Sequence, residues 1–154
     1  MSAERNKATV RRFWECVWNE GELSIFDEIV SADFRGHGPG PLLLTRSQFR
    51  DALHLIHSLQ EAKDTTVHYK VEMTIAEGSG VAILLSVKND EQSKWMRMLE
   101  DVSREVDLHS TMFNAATPLY FTVFYLLEDE QIVEQWLPTD SAPPSLMRSN
   151  KPTL

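Results

Sequence analysis

The chain has 154 residues, 42% of them hydrophobic, with 23 acidic and 15 basic side chains for a formal charge of -8. That length suits one compact domain with a core of its own, and the acidic balance excludes a nucleic-acid surface, because Arg11, Arg12, Arg46 and Arg50 are scattered among acids instead of clustered. The single cysteine, Cys16, excludes an internal disulfide and a cysteine-ligated metal cluster, and no apolar run approaches the roughly 20 residues that span a bilayer.

Val10, Phe13, Trp14, Val17 and Trp18 recur at three- and four-residue spacing, which predicts a helix with one apolar face. Cys16 lies within it as an inert, buried thiol. Gly21 supplies the stop, since glycine tolerates the left-handed conformation common there. Leu23, Phe26, Ile29 and Val30 predict a second, short helix. A brief strand over Phe34 to Gly36 follows and is broken by Gly38-Pro39-Gly40-Pro41. Thr45 and Gln48 match a capping box, and Phe49, Leu53, Ile56 and Leu59 carry a third helix onward from it.

The period then changes. Val67, Tyr69, Val71, Met73 and Ile75 alternate with His68, Lys70, Glu72 and Thr74, the mark of a half-buried strand. Glu77-Gly78-Ser79-Gly80 turns the chain into a strand over Val81 to Val87. Leu119 to Leu127 is a further apolar strand, and Asp129-Glu130 joins it to Ile132 through Leu137 as a two-residue hairpin. Glycine is usual at the second turn position, so Glu130 there implies strain or a different turn.

Helices first and antiparallel strands after them predict an α+β domain, with helices on one face of a curved sheet. A single domain is expected over residues 1–140. Within it 88–118 is too long for an ordinary strand connection, and Trp95, Leu99, Val102 and Val106 carry helical spacing, so a lid or interface insertion is expected there. Pro143-Pro144 marks 141–154 as an extended or disordered tail. No leader of positive charge followed by an apolar core is visible, so a cytoplasmic location without membrane attachment is the expectation.

The hairpin makes a geometric prediction about chemistry. With Asp129 and Glu130 as the loop, Tyr125 faces Glu134 and Val123 faces Trp136, and opposed residues share a sheet face. Phe121, Val123, Tyr125, Glu134 and Trp136 then form one wall, apolar and aromatic with a single carboxylate, the composition of a small-molecule pocket. In that wall Glu134 is a candidate general acid or base; on the opposite face it merely meets water. His37 sits in a Gly/Pro-rich turn after a strand, where an imidazole suits proton transfer near neutral pH, although loop histidines are commonly structural. Arg35 shares its strand face and could orient an anionic or carbonyl oxygen, or form a surface salt bridge. His54 and His57 are three apart on a helix without a zincin glutamate or a third ligand, so they are read as surface residues and no metal site is expected. His68 is expected to be exposed or at a subunit contact, and His109 lies in the insertion.

The stretch 6–23, a helix ended by Gly21, with Asp33-Phe34-Arg35-Gly36-His37 and the closing segment Glu128-Asp129-Glu130-Gln131-Ile132-Val133-Glu134-Gln135-Trp136, resembles the SnoaL-like polyketide cyclases of the nuclear transport factor 2-like superfamily. The resemblance covers residues 6–88 and 118–140. It implies a cystatin-like, cone-shaped, mixed sheet with the N-terminal helices on its concave face, and a homodimer formed through the outer face. It also implies cofactor-free and metal-free proton transfer on a hydrophobic polyketide- or terpenoid-like substrate. Carried onto this chain, it makes Glu134 and His37 the acid/base residues, with Tyr125 a hydrogen-bond donor to a developing oxyanion. Trp14, Trp18, Arg35, Phe121, Val123 and Trp136 would then bind substrate. One departure is chemical. Many of these cyclases carry an aspartate in the strand before the final hairpin, and Val123 occupies that slot here, where it cannot carry a proton. The rival expectation is a non-catalytic binder of a hydrophobic small molecule.

Overall fold

The structure, a computed structural model, describes residues 2–37, 42–63, 67–87 and 119–137. The expectations for the 38–41 break, the 88–118 insertion with His109, and the tail fall outside the described residues.

The first helix begins where Ser2 Oγ accepts from Arg5 N at 3.2 Å, and it runs as α1, Ala3–Arg12. It then widens into a π-helical segment, Phe13–Asn19, and stops at Gly21, which takes φ 71° as its place in the pattern requires. After α2, Leu23–Ile29, comes β1, Val30–His37, longer than the alternation over Phe34 to Gly36 suggests. A three-residue strand, β2, Leu43–Thr45, precedes α3, Arg46–Lys63. The capping box forms as expected: Thr45 N donates to Gln48 Oε1 at 2.9 Å, and Gln48 N to Thr45 Oγ1 at 3.3 Å. The remaining strands are β3, Tyr69–Glu77; β4, Gly80–Val87; β5, Leu119–Glu128; and β6, Gln131–Trp136.

The six strands form one open, curved sheet in the order β2-β1-β6-β5-β4-β3, with β1 and β6 parallel and every other pair antiparallel. The helices lie on its concave face. Phe13 is their anchor, with its ring 5.9 Å from Tyr125 of the sheet and 6.3 Å from both Phe26 and Phe49 of the neighbouring helices. All four side chains are buried; truncating an aromatic so placed costs about 3–5 kcal/mol. Outside this core, Arg46 lies over the Phe26 ring and donates through Nε to Val30 O, while Arg50 grips both carboxylate oxygens of Asp27. These contacts tie α3 to α2 and to the start of β1.

Two bulges decide which side chains look inward. In β3 the pairing steps from Val71 opposite Leu85 to Met73 opposite Leu84, leaving Glu72 as the extra residue. Beyond it Thr74 and Ala76 face the helices, while Met73 and Ile75, expected on the apolar side, are 52% and 62% exposed. In β6 the pairing steps from Leu127 opposite Ile132 to Leu126 opposite Glu134, and Val133 is the surplus residue. A one-residue slip moves every later side chain to the other face.

Candidate functional site

The bulge at Val133 changes the site that alternation alone predicts. Tyr125 stands opposite Gln135, Phe124 opposite Trp136, and Leu126 opposite Glu134. Tyr125, Val123 and Phe121 therefore share the concave face with Gln135, and Glu134 and Trp136 lie on the outer face. The expected wall of Phe121, Val123, Tyr125, Glu134 and Trp136 is divided between the two sides of the sheet.

On the concave side the structure brings together Trp14, Trp18, Phe121, Val123 and Tyr125. Trp14 Nε1 donates to Tyr125 Oη at 2.8 Å, both groups being buried. Burial pushes the Tyr125 phenol well above its ordinary pKa, partly offset by the Trp14 hydrogen bond, so it stays a neutral donor. The Trp14 and Trp18 rings stack at 4.9 Å, and Tyr69 and Phe121 meet Trp14 edge-on at 5.1 and 6.0 Å. Asn19 fixes this wall to the sheet, donating to Tyr69 O and accepting from Tyr69 N, both at 2.8 Å.

Gln135 was not among the residues singled out by sequence. It is fully buried, and neither Nε2 nor Oε1 has a partner; Trp18 Nε1 is likewise buried without one. The available signal is an uncharged amide flanked by Glu134 and Trp136 in the closing strand. It becomes readable only once the bulge is known.

The outer face holds a second group. Phe34 and Gly36 point toward the helices, Gly36 so tightly that a Cβ there would lie 3.2 Å from the Phe34 ring and 3.3 Å from Phe49. Their neighbours Arg35 and His37 consequently point the other way. Parallel pairing sets Arg35 beside Glu134 and His37 beside Trp136. His37 Nε2 lies 2.6 Å from Glu134 Oε1, and its ring stacks on Trp136 at 5.3 Å with an interplanar angle of 1°. Both members of the pair are half-buried, at 15% and 23% side-chain exposure. Arg35 is exposed.

Of the other histidines, His54 is exposed, but His57 Nε2 donates to Val17 O at 2.9 Å and packs its ring against Gly21, so it closes the π-helical segment instead of lying free on the helix surface. His68 is exposed. Among the described residues no group of three or more His, Cys, Asp or Glu is placed to hold a metal ion, and no helix is long and apolar enough to cross a membrane.

No protein-family model and no curated protein matches the sequence. Solved structures do. IdmH, a proposed polyketide cyclase from Streptomyces antibioticus, is 17% identical with a TM-score of 0.56, over 88% of this chain and 91% of that one. A proposed SnoaL-like polyketide cyclase from Jannaschia sp. CCS1 is 18% identical with a TM-score of 0.57, over 92% and 95%. A proposed ketosteroid isomerase from Kribbella flavida is 14% identical with a TM-score of 0.55, over 92% and 84%. The chain thus has the fold of the SnoaL-like cyclases and nuclear transport factor 2-like proteins, and these three neighbours are named for small-molecule chemistry.

Proposed function

We propose that this protein is a cofactor-independent enzyme of cyclase or isomerase type, acting by acid/base chemistry on a hydrophobic polyketide- or terpenoid-like substrate. Tyr125 carries the reading: a neutral phenol, held in place by Trp14, on the face of the sheet that the helices cover. Its oxygen already accepts from Trp14, so its own proton is free to stabilise an enolate or other developing oxyanion. Trp14, Trp18, Phe121 and Val123 supply the apolar walls.

The proton-transfer half is assigned to His37 and Glu134, a carboxylate–imidazole pair in hydrogen-bond contact. These two sit on the outer face, where His37 and Trp136 end their strands. The reading therefore requires the substrate to extend from Tyr125 over the ends of β1 and β6. Exchange of the α-protons of 2-acetylnaphthalene into D2O, followed by NMR, tests it. The protein is expected to accelerate exchange, and Tyr125→Phe to lower the rate by roughly 10²- to 10³-fold. Binding without any exchange would overturn the enzyme reading in favour of a ligand-holding module.

We further propose that a second copy of the chain covers the part of the outer face formed by β3, β4 and β5, leaving the ends of β1 and β6 to the substrate. One residue from each of these strands forms a continuous row across it: Ile75, Ala82 and Phe124. Ile75 and Phe124 are more than half exposed, an apolar stripe of the kind that marks an interface. Sedimentation should show a dimer that Phe124→Lys converts to monomer; a monomeric wild-type chain overturns this assignment.

A further inference from the structure

We propose that Gln135 is a ligand-binding residue, its amide acting with the Tyr125 hydroxyl to hold a neutral, carbonyl-bearing group of an apolar ligand on the concave face. The proposal rests on the reading that this face binds small molecules, and it names the chemical class.

Buried side-chain amides normally have partners, and leaving one without them costs stability. Two asparagines of this chain use their amides with a recognisable structural purpose, although Asn6 Oδ1 is also buried without a partner. Asn19 makes two bonds to the Tyr69 backbone, and Asn6 Nδ2 donates to Gly78 O at 3.2 Å, linking α1 to the β3–β4 turn. Gln135 ties nothing together: it is 0% exposed, with neither amide atom bonded. For folding alone an apolar residue of the same length serves better there.

Its position explains what the amide can reach. Gln135 pairs directly with Tyr125 on one side and with Gly36 on the other. Opposed residues on neighbouring strands have Cβ atoms roughly 5 Å apart, so the amide and the phenol project side by side. Tyr125 offers its proton, because its oxygen accepts from Trp14. Gln135 offers two N–H donors and one carbonyl acceptor. Two adjacent neutral donors suit a single carbonyl oxygen, and Oε1 remains to accept from a neighbouring hydroxyl, as in a β-hydroxy ketone or an enol. The buried polar residues among those described are Asn6, Gln60, Ser86 and Gln135, none of them charged. A ketone is therefore matched on this face, and a carboxylate is not.

The test compares 2-acetylnaphthalene with 2-ethylnaphthalene, which lacks only the carbonyl, in NMR titrations of the full ¹⁵N-labelled chain. The ketone is expected to bind about tenfold more tightly and to shift the Gln135 side-chain amide signals, assigned by their loss in Gln135→Met. Gln135→Met should abolish the preference, keep the hydrocarbon affinity and raise Tm. If both compounds bind wild type equally, or if Gln135→Met keeps the preference, the assignment of Gln135 is overturned while the concave face stands as a binding surface. If neither compound binds, that surface falls as well. Should the variant fail to fold, the Gln135 amide signals are assigned in wild type by triple-resonance NMR, and no shift at ketone saturation overturns the proposal.

Discussion

Trp14 and Tyr125 are joined by a 2.8 Å hydrogen bond between the first helical segment and the fifth strand, with both side chains buried. Tyr125→Phe keeps the ring packing and strands the indole N–H without a partner. It should destabilise the protein by about 1–3 kcal/mol, measured by urea unfolding. An unchanged unfolding midpoint would show that the bond adds nothing.

Glu134→Gln separates the two faces chemically. If the His37–Glu134 pair moves the substrate proton, the variant should lose α-proton exchange by roughly 10²- to 10⁴-fold while ketone binding on the concave face stays within about twofold. Exchange at the wild-type rate would remove the pair from the mechanism.

The hairpin turn offers a test of strain. Asp129 and Glu130 take φ of 49° and 64°, conformations that suit glycine, and Glu130 also pairs with Arg5 at 2.9 Å in an exposed position. Glu130→Gly should relieve about 1 kcal/mol of backbone strain and give up an ion pair worth less, so Tm should rise by about 1–3 °C. A fall in Tm would mean that the contacts of Glu130 outweigh its backbone.

Acid stability should respond to Asp27. The hydrogen-bonded Arg50 guanidinium holds its carboxyl below the ordinary aspartate value, against a smaller opposing effect of desolvation, with Arg46 adding to the attraction. A depressed folded-state pKa means that the unfolded chain binds the proton more readily. The contribution is therefore complete above the ordinary value and lost as pH falls below about 4. Asp27→Asn should lower Tm by more at pH 7 than at pH 2.5, which a pH series of thermal melts checks.

Much of the architecture was legible in residue patterns, because helices and turns announce themselves locally. Val10 through Trp18 mark a helix face, Thr45 and Gln48 a cap, and Asp129-Glu130 a turn. The three-residue β2 has no period to detect, and its exposed Leu43 and Thr45 resemble loop residues. The face of each strand was harder to read. Glu72 and Val133 each add one residue, and nothing in a run such as Gln131-Ile132-Val133-Glu134-Gln135 marks which one the ladder skips. Alternation therefore assigned Met73, Ile75, Glu134 and Trp136 to the interior and passed over Gln135. The pairing of His37 with Glu134 depends on β1 lying parallel beside β6, a contact across 97 positions of sequence that no local pattern encodes.

The π-helical turn has an optical consequence. By widening the helix at Phe13–Asn19 it accompanies two indoles lying nearly parallel, 11° apart in plane and 4.9 Å between centres. Aromatic chromophores that close share their excited states, so Trp14 and Trp18 should give a split near-ultraviolet circular dichroism band that either residue alone cannot produce. The molecule thereby carries a built-in spectroscopic gauge on the wall beside Tyr125, one that reports any guest disturbing the stack without a label.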